Sequence, residues 1–244
     1  MIYAAHRGAS DTLPENTIVA LAAAVDLGAD YVEFDVRATR DERLVVIHDE
    51  RLERTTDGSG RVDEKTLHEL RPLDAGRWLS SEHSGRKIPT LNETIAVLKN
   101  TAPFIVDFKE ERPALIEELA LSLRADDVLD KVLVTSPHAR TLEALAANYA
   151  DVPLAVPFKI AFSGAEPVAV GRLKPKLLLA RDRDVDGAVA AAAHAAGLKL
   201  LVSLARDLDA GATRERARAL ELLGADGVMT GRVRLFLQKG LKVM

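Results

Sequence analysis

The chain of 244 residues contains no cysteine, which excludes disulfide bonds and thiolate-ligated metal sites. No stretch approaches the ~20 consecutive apolar residues that a membrane-spanning helix needs. Residues 1–8 show no charged segment followed by an apolar one, as a secretory leader would. We therefore expect a cytoplasmic protein without an integral membrane segment.

Positive charge is not in excess. Lysine and arginine total 33 against 37 aspartates and glutamates, which gives a net charge of −4, and the chain has no cluster of basic residues. This balance gives no electrostatic reason to expect nucleic acid as a partner. A small molecule is the expected ligand, and the sequence leaves the oligomeric state open.

The chain does contain enough apolar sequence for one large core. Hydrophobic residues make up 48% of it, and about 250 residues is the usual length of an eight-stranded α/β barrel. We expect residues 1–244 to form a single domain.

Segments with the periodicity of strands and of helices alternate along most of the chain. Predicted helices are residues 15–28, 91–99, 114–123, 140–148, 185–196 and 213–223. Predicted strands are residues 2–6, 31–36, 44–48, 104–109, 132–136, 152–158, 177–180, 199–203 and 227–230. The alternation indicates a parallel sheet, and polar residues at the C-terminal ends of many strands favour a (β/α)8 barrel of the TIM type.

These are nine strand candidates, and a closed barrel of this type needs eight. We expect that either 152–158 or 177–180 is not a full barrel strand. A short polar turn at Asp41 and Glu42 leads into the third strand, which is typical of a hairpin. Residues 50–87 then break the alternation with consecutive turns, which predicts a small subdomain inserted after the third strand.

Acidic residues occur inside two otherwise apolar strands. In segment 31–36 the period of two places Glu33 and Asp35 on one face, opposite three apolar side chains. Segment 104–109 does the same with Asp107 and Lys109. Carboxylates crowded on a buried face repel one another and are costly to desolvate without a compensating cation. A divalent metal ion supplies that compensation.

Four strand ends carry candidate functional residues, and in a parallel barrel such ends converge on one mouth. The strand-end residues are His6, Arg7, Glu33, Asp35, His48, Asp49, Asp107 and Lys109. Each alone has a structural alternative. A lone histidine is more often a hydrogen-bonded structural residue, Arg7 can pair with Glu15, and Lys109 can pair with Asp107. Their joint occurrence favours a site.

The chemistry that these residues fit is phosphodiester hydrolysis. Oxygen ligands suit one Mg²⁺ or Ca²⁺ ion, and Arg7 and Lys109 can hold phosphate oxygens. His6 and His48 can divide proton transfer between the attacking and leaving oxygens. The chain has no Gly-x-Ser-x-Gly, Walker or GxGxxG motif that would indicate another chemistry.

The same residues resemble the glycerophosphodiester phosphodiesterase family. The matching motifs lie within the first half of the chain: His6-Arg7-Gly8, Pro14-Glu15-Asn16-Thr17, Glu33-Phe34-Asp35-Val36 with Thr39 and Asp41, His48-Asp49, Thr55-Thr56 with Gly58 and Gly60, and Ile88-Pro89-Thr90-Leu91. The resemblance implies a (β/α)8 barrel with an insertion at about 50–87. It also implies a divalent cation on Glu33, Asp35 and Asp107, an acid/base pair of His6 and His48, and phosphate contacts from Arg7 and Lys109. We interpret Glu15 and Asn16 as supports that cap the following helix.

The chain departs from the family pattern in two places. Asp107 stands where the family usually has glutamate, and residues 201–204 and 229–231 differ from the usual C-terminal motifs. These departures leave the alcohol group of the substrate open.

Two further interpretations stay open. One is hydrolysis of lysophospholipids, with an apolar wall contributed by the insertion through Leu52, Leu67, Leu70, Leu73 and Trp78. We favour the alternative that these side chains form the insertion's own core. The other is a phosphate-binding barrel without catalysis, against which the two histidines argue.

Overall fold

The computed structural model describes residues 1–162 and 170–237. Eight of its strands run parallel: β1 (Ile2–Ala5), β2 (Tyr31–Ala38), β4 (Phe104–Phe108), β5 (Val132–Thr135), β6 (Ala155–Pro157), β7 (Leu177–Arg181), β8 (Lys199–Ser203) and β9 (Gly227–Thr230). One more, β3 (Leu44–Val46), runs antiparallel to β2.

Helices alternate with these strands. The α-helices are α1 (Ile18–Leu27), α2 (Leu67–Leu70), α3 (Leu91–Leu98), α4 (Pro113–Ala125), α5 (Ala139–Asn148), α6 (Phe158–Ala161), α7 (Val170–Leu173), α8 (Gly187–Ala195) and α9 (Ala210–Leu222). Short 3-10 helices lie at Val62–Glu64, Ser81–His83, Asp182–Asp184 and Val233–Leu235. None of the helices in the described ranges is both long and apolar enough to cross a membrane.

The parallel strands form a nearly closed barrel in the order β5-β4-β2-β1-β9-β8-β7-β6. A parallel bridge between Val134 and Leu154 brings the two ends of this order together. β1 lies between β2 and β9, so the first and last strands of the barrel are direct neighbours. The predicted fold class, a (β/α)8 barrel, is confirmed.

We expected either 152–158 or 177–180 not to be a full barrel strand; 152–158 does form a strand of only three residues, but neither segment is the surplus ninth strand. Both segments supply barrel strands, β6 and β7, and the additional strand is β3. β2 is eight residues long, and its last three residues pair with β3. Of these three, only Val36 also pairs with a barrel strand, through Phe108 of β4. β6 is only three residues long, because Pro153 and Pro157 at its borders have no N–H for a sheet hydrogen bond.

The two faces of the barrel strands have separate apolar layers. Outward-facing Val32, Phe34 and Val36 pack in the large core that also contains side chains of α1 and α3. A smaller cluster fills the bottom of the barrel: Ala4, Ile105, Leu133, Ala155, Leu177, Leu201 and Met229. The period of two therefore placed Glu33 and Asp35 correctly, on the inward face above this cluster.

The insertion has a small apolar core of its own. Leu52, Val62, Leu70 and Ala75 are buried together with Val45, Ile47 and Ile88, and Leu67 and Leu73 pack against them. The core interpretation of these leucines is confirmed. Trp78 is exposed, and its indole N–H donates to the Ala75 carbonyl at 3.0 Å. The division of residues 1–244 into one domain with a subdomain at 50–87 stays a prediction.

Helix α1 begins later than predicted, at Ile18, with Thr17 as the N-cap residue. Asn16 has φ of 58°, in the left-handed region, which ends any helical continuation toward Glu15. The preceding turn is packed tightly against the helix, since a Cβ on Gly8 would lie 2.5 Å from the Ala20 carbonyl carbon. This close approach fixes the loop that carries Arg7.

Candidate active site

The three predicted metal ligands lie together on the inward face of β2 and β4. Carboxylate oxygens of Glu33, Asp35 and Asp107 are all within 4.8 Å of one another. The strand register explains the contact, because Asp35 and Asp107 are direct partners across the β2–β4 ladder. Two strands that lie far apart in the sequence thus supply one acidic cluster.

Burial and mutual repulsion shift the ionisation of this cluster. Burial, followed by the charges of Asp35 and Asp107, raises the pKa of Glu33 well above its usual range. Burial also raises the pKa of Asp107. Burial also acts to raise the pKa of Asp35. The positive charges of the neighbouring Lys109 and Arg7 outweigh burial, however, and hold the pKa of Asp35 below its usual range.

The residues fit a hard divalent cation. Asp107 Oδ1 is buried and has no hydrogen-bond partner among the described residues. Three carboxylates at this separation offer oxygen ligands of the kind that Mg²⁺ and Ca²⁺ use. A cation here would also relieve the repulsion that raises the pKa values of Glu33 and Asp107.

The two predicted phosphate-binding cations make the ion pairs that the sequence left as alternatives. Arg7 Nη1 donates to Glu15 Oε1 at 2.7 Å, and Arg7 Nε lies 3.1 Å from Asp35 Oδ2. Lys109 Nζ lies 2.9 Å from Asp35 Oδ1 and donates to Asp107 as well. Both cations are therefore held at the cluster by its own carboxylates.

The backbone of Arg7 is itself part of the site. Its φ is 58°, a left-handed conformation that is uncommon outside glycine. The conformation directs the Arg7 N–H to Glu33 Oε2, where it donates at 2.8 Å. One residue thus supports Glu33 through its main chain and Asp35 through its side chain.

His6 lies beside the acidic cluster, with Nε2 3.9 Å from Glu33 Oε2. Burial and the nearby Arg7 charge lower the pKa of His6 to about 3. The ring is therefore neutral near pH 7. Its Nδ1 is buried without a hydrogen-bond partner in the described part of the chain.

His48 reaches the cluster from the hairpin rather than from a barrel strand. β3 returns along β2, and the Ile47 N–H donates to the Asp35 carbonyl at 3.0 Å. His48 Nδ1 then lies 2.6 Å from Asp49 Oδ1. This contact fixes the ring orientation and leaves Nε2 for proton transfer. Burial lowers the pKa of His48.

Asn16 and Glu15 make contacts that the sequence analysis did not anticipate, apart from the pair of Glu15 with Arg7. They do not cap α1, because neither is its N-cap residue. Asn16 forms two hydrogen bonds with Asp35. Glu15 is buried and accepts from Arg7, Arg54 and Arg206. Their place in the family motif was the only sequence signal for these residues. The contact between Glu15 and Arg206 joins residues 191 positions apart, so no local pattern could indicate it.

A cavity of about 940 Å³ opens at this end of the barrel. Six of the seven predicted site residues line it: His6, Arg7, Glu33, Asp35, His48 and Asp107. The seventh, Lys109, contacts two of them. The structure therefore brings the whole predicted set together.

The apolar side of the cavity comes from the opposite half of the barrel. Phe158, Ile160 and Phe162 around α6 line it, together with Leu179 of β7. Of the side chains expected to form an apolar wall in the insertion, none lines the cavity, and the leucines among them pack in the insertion's core. Ser203 and Met229, from the divergent C-terminal strands, do line it.

Curated proteins of known family are similar to this chain in sequence. A curated glycerophosphodiester phosphodiesterase of Caldanaerobacter subterraneus subsp. tengcongensis is 39% identical over 137 residues, which cover 54% of this chain and 56% of that protein. The alignments with the first curated relatives span between 47% and 65% of the lengths of those proteins.

Solved structures match over nearly the full length. A glycerophosphodiester phosphodiesterase from Agrobacterium tumefaciens superposes with a TM-score of 0.82 at 28% identity, covering 97% of this chain and 98% of that one. A phosphodiesterase from Oleispira antarctica, solved with the product sn-glycerol-3-phosphate, superposes with a TM-score of 0.81 at 28% identity, covering 96% of this chain and 95% of that one.

The family model extends beyond the motifs in the first half of the chain. The model for the glycerophosphoryl diester phosphodiesterase family matches residues 6–235, and this range includes every residue of the cluster described above. The chain therefore belongs to the glycerophosphoryl diester phosphodiesterase family.

Proposed function

We propose that this protein hydrolyses glycerophosphodiesters to glycerol 3-phosphate and an alcohol, with one divalent cation bound at the acidic cluster. The observation that carries the proposal is the convergence of three carboxylates, two basic side chains and two histidines at one cavity. The family relatives named above, and the product bound by the Oleispira antarctica protein, support the same substrate class.

Glu33, Asp35 and Asp107 would hold the cation, either Mg²⁺ or Ca²⁺. When bound, the ion withdraws charge from the phosphate oxygens and so favours attack at phosphorus. Arg7 and Lys109 lie next to two of these carboxylates and bind the remaining phosphate oxygens. Arg7 offers a planar fork for two oxygens, and Lys109 offers a point charge.

The two histidines divide the proton transfers. His6 lies beside the acidic cluster, with Nε2 3.9 Å from Glu33 Oε2, and takes the proton of the attacking group. His48 is oriented by Asp49 through Nδ1, and its Nε2 handles the proton of the leaving alcohol oxygen. Acid/base catalysis of this kind typically contributes about 10²–10⁴-fold in rate.

A second candidate substrate is a lysophospholipid. The observation in its favour is the apolar side of the cavity formed by Phe158, Ile160, Phe162 and Leu179. An acyl chain bound there would lie opposite the acidic cluster. This places the apolar contact at α6 and β7, not in the insertion.

The deciding experiment compares glycerophosphocholine and lysophosphatidylcholine as substrates, with and without EDTA. Release of glycerol 3-phosphate from glycerophosphocholine that stops with EDTA and returns with added Mg²⁺ or Ca²⁺ supports the proposal. Preferential cleavage of lysophosphatidylcholine supports the second substrate. Binding of glycerol 3-phosphate with no turnover of either diester would identify a non-catalytic binder and refute both.

A further inference from the structure

Thr135 completes a row of polar side chains across three strands of the barrel. The register pairs Asp35 of β2 with Asp107 of β4, and Asp107 in turn with Thr135 of β5. Paired residues of neighbouring parallel strands point to the same face of a sheet. All three side chains accordingly line the cavity.

Two side-chain oxygens in this row, one on Thr135 and one on Asp107, are buried and unpartnered in the described part of the chain. Thr135 Oγ1 and Asp107 Oδ1 have no hydrogen-bond partner among the described residues. The second Asp107 oxygen is already engaged, because Lys109 donates to it. A hydroxyl and a carboxylate oxygen in this position are one donor and one acceptor that a single water molecule can satisfy.

We propose that Thr135 positions a water molecule on Asp107, and that this water serves as an additional ligand of the cation bound by Glu33, Asp35 and Asp107. Thr135 is a positioning residue in this arrangement, since it contacts the ion only through the water. The inference rests on the proposed cation site. Sites for Mg²⁺ and Ca²⁺ commonly keep waters among their oxygen ligands. Residues that hydrogen-bond to a metal ligand and orient it typically raise metal affinity by about 10–100-fold.

An unpartnered hydroxyl alone does not indicate a site. Thr94 Oγ1, on α3, is also buried and without a partner in the described ranges, yet Thr94 does not line the cavity. Thr94 therefore provides a matched control. Replacing either threonine by valine removes a hydroxyl that makes no protein hydrogen bond and keeps the shape of the side chain.

The test titrates MgCl₂ and CaCl₂ into the metal-free full chain by calorimetry. We expect Thr135→Val to bind at least one of the two ions about 10-fold more weakly than wild type, and Thr94→Val to bind both as wild type does. Urea unfolding without metal checks that both variants fold. Equal affinities for wild type and Thr135→Val overturn the proposal, even if turnover falls.

A double variant tests the water itself. Asp107→Glu extends the carboxylate by one methylene, so a second carboxylate oxygen can take the place of the water on the ion. In the Asp107→Glu background, adding Thr135→Val is expected to leave metal affinity unchanged. A loss of affinity in that background as large as in wild type would show that Thr135 acts independently of Asp107, which refutes the water-mediated arrangement.

The outcomes separate this inference from the proposed function. Wild type that hydrolyses the diester in EDTA and binds neither ion overturns the cation site, and with it the role of Thr135. Wild type that binds an ion while Thr135→Val binds it equally well overturns the role of Thr135 alone.

Discussion

Asn16 and Asp35 hold each other through a reciprocal pair of hydrogen bonds: Asn16 Nδ2 donates to Asp35 Oδ2 at 2.8 Å, and the Asp35 N–H donates to Asn16 Oδ1 at 3.2 Å. Both residues are buried. The left-handed φ of 58° at Asn16 turns its side chain back toward the strand. Asparagine is one of the few residues that adopt this region readily.

Asn16→Ala is expected to destabilise the protein by about 1–3 kcal/mol, because it leaves the buried Asp35 N–H without its acceptor and removes one of the two contacts of Asp35 Oδ2. Urea unfolding measures the effect. Asn148→Ala is the control, since the exposed Asn148 amide donates only to the Ala144 carbonyl within its own helix; surface changes of this kind usually stay within about 0.5 kcal/mol. Equal effects for the two variants would contradict the structural role of Asn16.

His6→Ala and His48→Ala are each expected to lower turnover by about 10²-fold or more, because each removes one partner of the proton transfers. The measurement is kcat on glycerophosphocholine. His138→Ala is the control, because His138 pairs with Glu111 away from the cluster and does not line the cavity. Near-normal turnover in either variant would remove that histidine from the mechanism.

Arg7→Lys is expected to lower kcat/KM although the charge is retained, because an ammonium group cannot reproduce the fork that contacts Glu15 and Asp35 and that we propose to bind phosphate. Arg51→Lys is the matched control, as Arg51 pairs with Glu53 on the surface of the insertion. If kcat/KM is unchanged and only the unfolding midpoint falls, Arg7 is structural and does not bind phosphate.

Asp107→Asn is expected to weaken cation affinity and activity together, with partial rescue at high Mg²⁺ or Ca²⁺, because one ligand loses its charge. Asp107→Glu is expected to be tolerated. Activity titrated against free metal decides the matter. Superimposable curves for wild type and Asp107→Asn would mean that Asp107 only pairs with Lys109.

Glu15 gives a prediction for acid stability. Burial acts to raise its pKa, but hydrogen bonds from Arg54 and Arg206 outweigh burial and hold the pKa of Glu15 below its usual range. A carboxyl group with a lower pKa in the folded state stabilises the protein above the unfolded pKa, about 4.3, and this contribution is lost as pH falls further. Glu15→Gln is therefore expected to flatten the loss of stability below about pH 4.3.

The measurement is the urea midpoint as a function of pH for wild type, Glu15→Gln and the exposed-surface variant Glu118→Gln. Wild type and Glu118→Gln are expected to lose stability with the same slope as the pH falls. Glu15→Gln starts from a lower stability at neutral pH, because it replaces a carboxylate that accepts from three arginines by a neutral amide with one donor end. A Glu15→Gln curve parallel to that of wild type would contradict the prediction.

Much of the site was predictable because it depends on local patterns. The period of two alone places Glu33 and Asp35 on the inward face, and strand-end position alone brings Asp107 and His6 toward the same mouth. The antiparallel direction of β3 was also indicated by the hairpin at Asp41 and Glu42. The local pattern could not show that β3 is the strand outside the barrel. This depends on the length of β2, which extends far enough to pair with β3 at its C-terminal end.

The supporting contacts depend on long-range geometry and left no periodic signal. Arg206 meets Glu15 only after the barrel has closed, and Thr135 meets Asp107 through the register of β4 and β5. Asn16 was interpreted as a cap because a polar residue ahead of an apolar helix usually caps it. Its left-handed backbone, a conformation that asparagine adopts more readily than most residues, decides the matter.

The pairing of β1 with β9 bears on how the protein matures during synthesis. A ribosome delivers β1 first, but β9, one of the two strands that flank β1, is the last strand of the barrel to be delivered. Until then, the edge of β1 that carries His6 and Arg7 has no neighbour on that side, and Arg206 has not met Glu15. A nascent chain released before β9 would hold the acidic cluster of β2 and β4 without the closed wall around it. The wall around the acidic cluster is thus completed in a late step, when β9 pairs with β1.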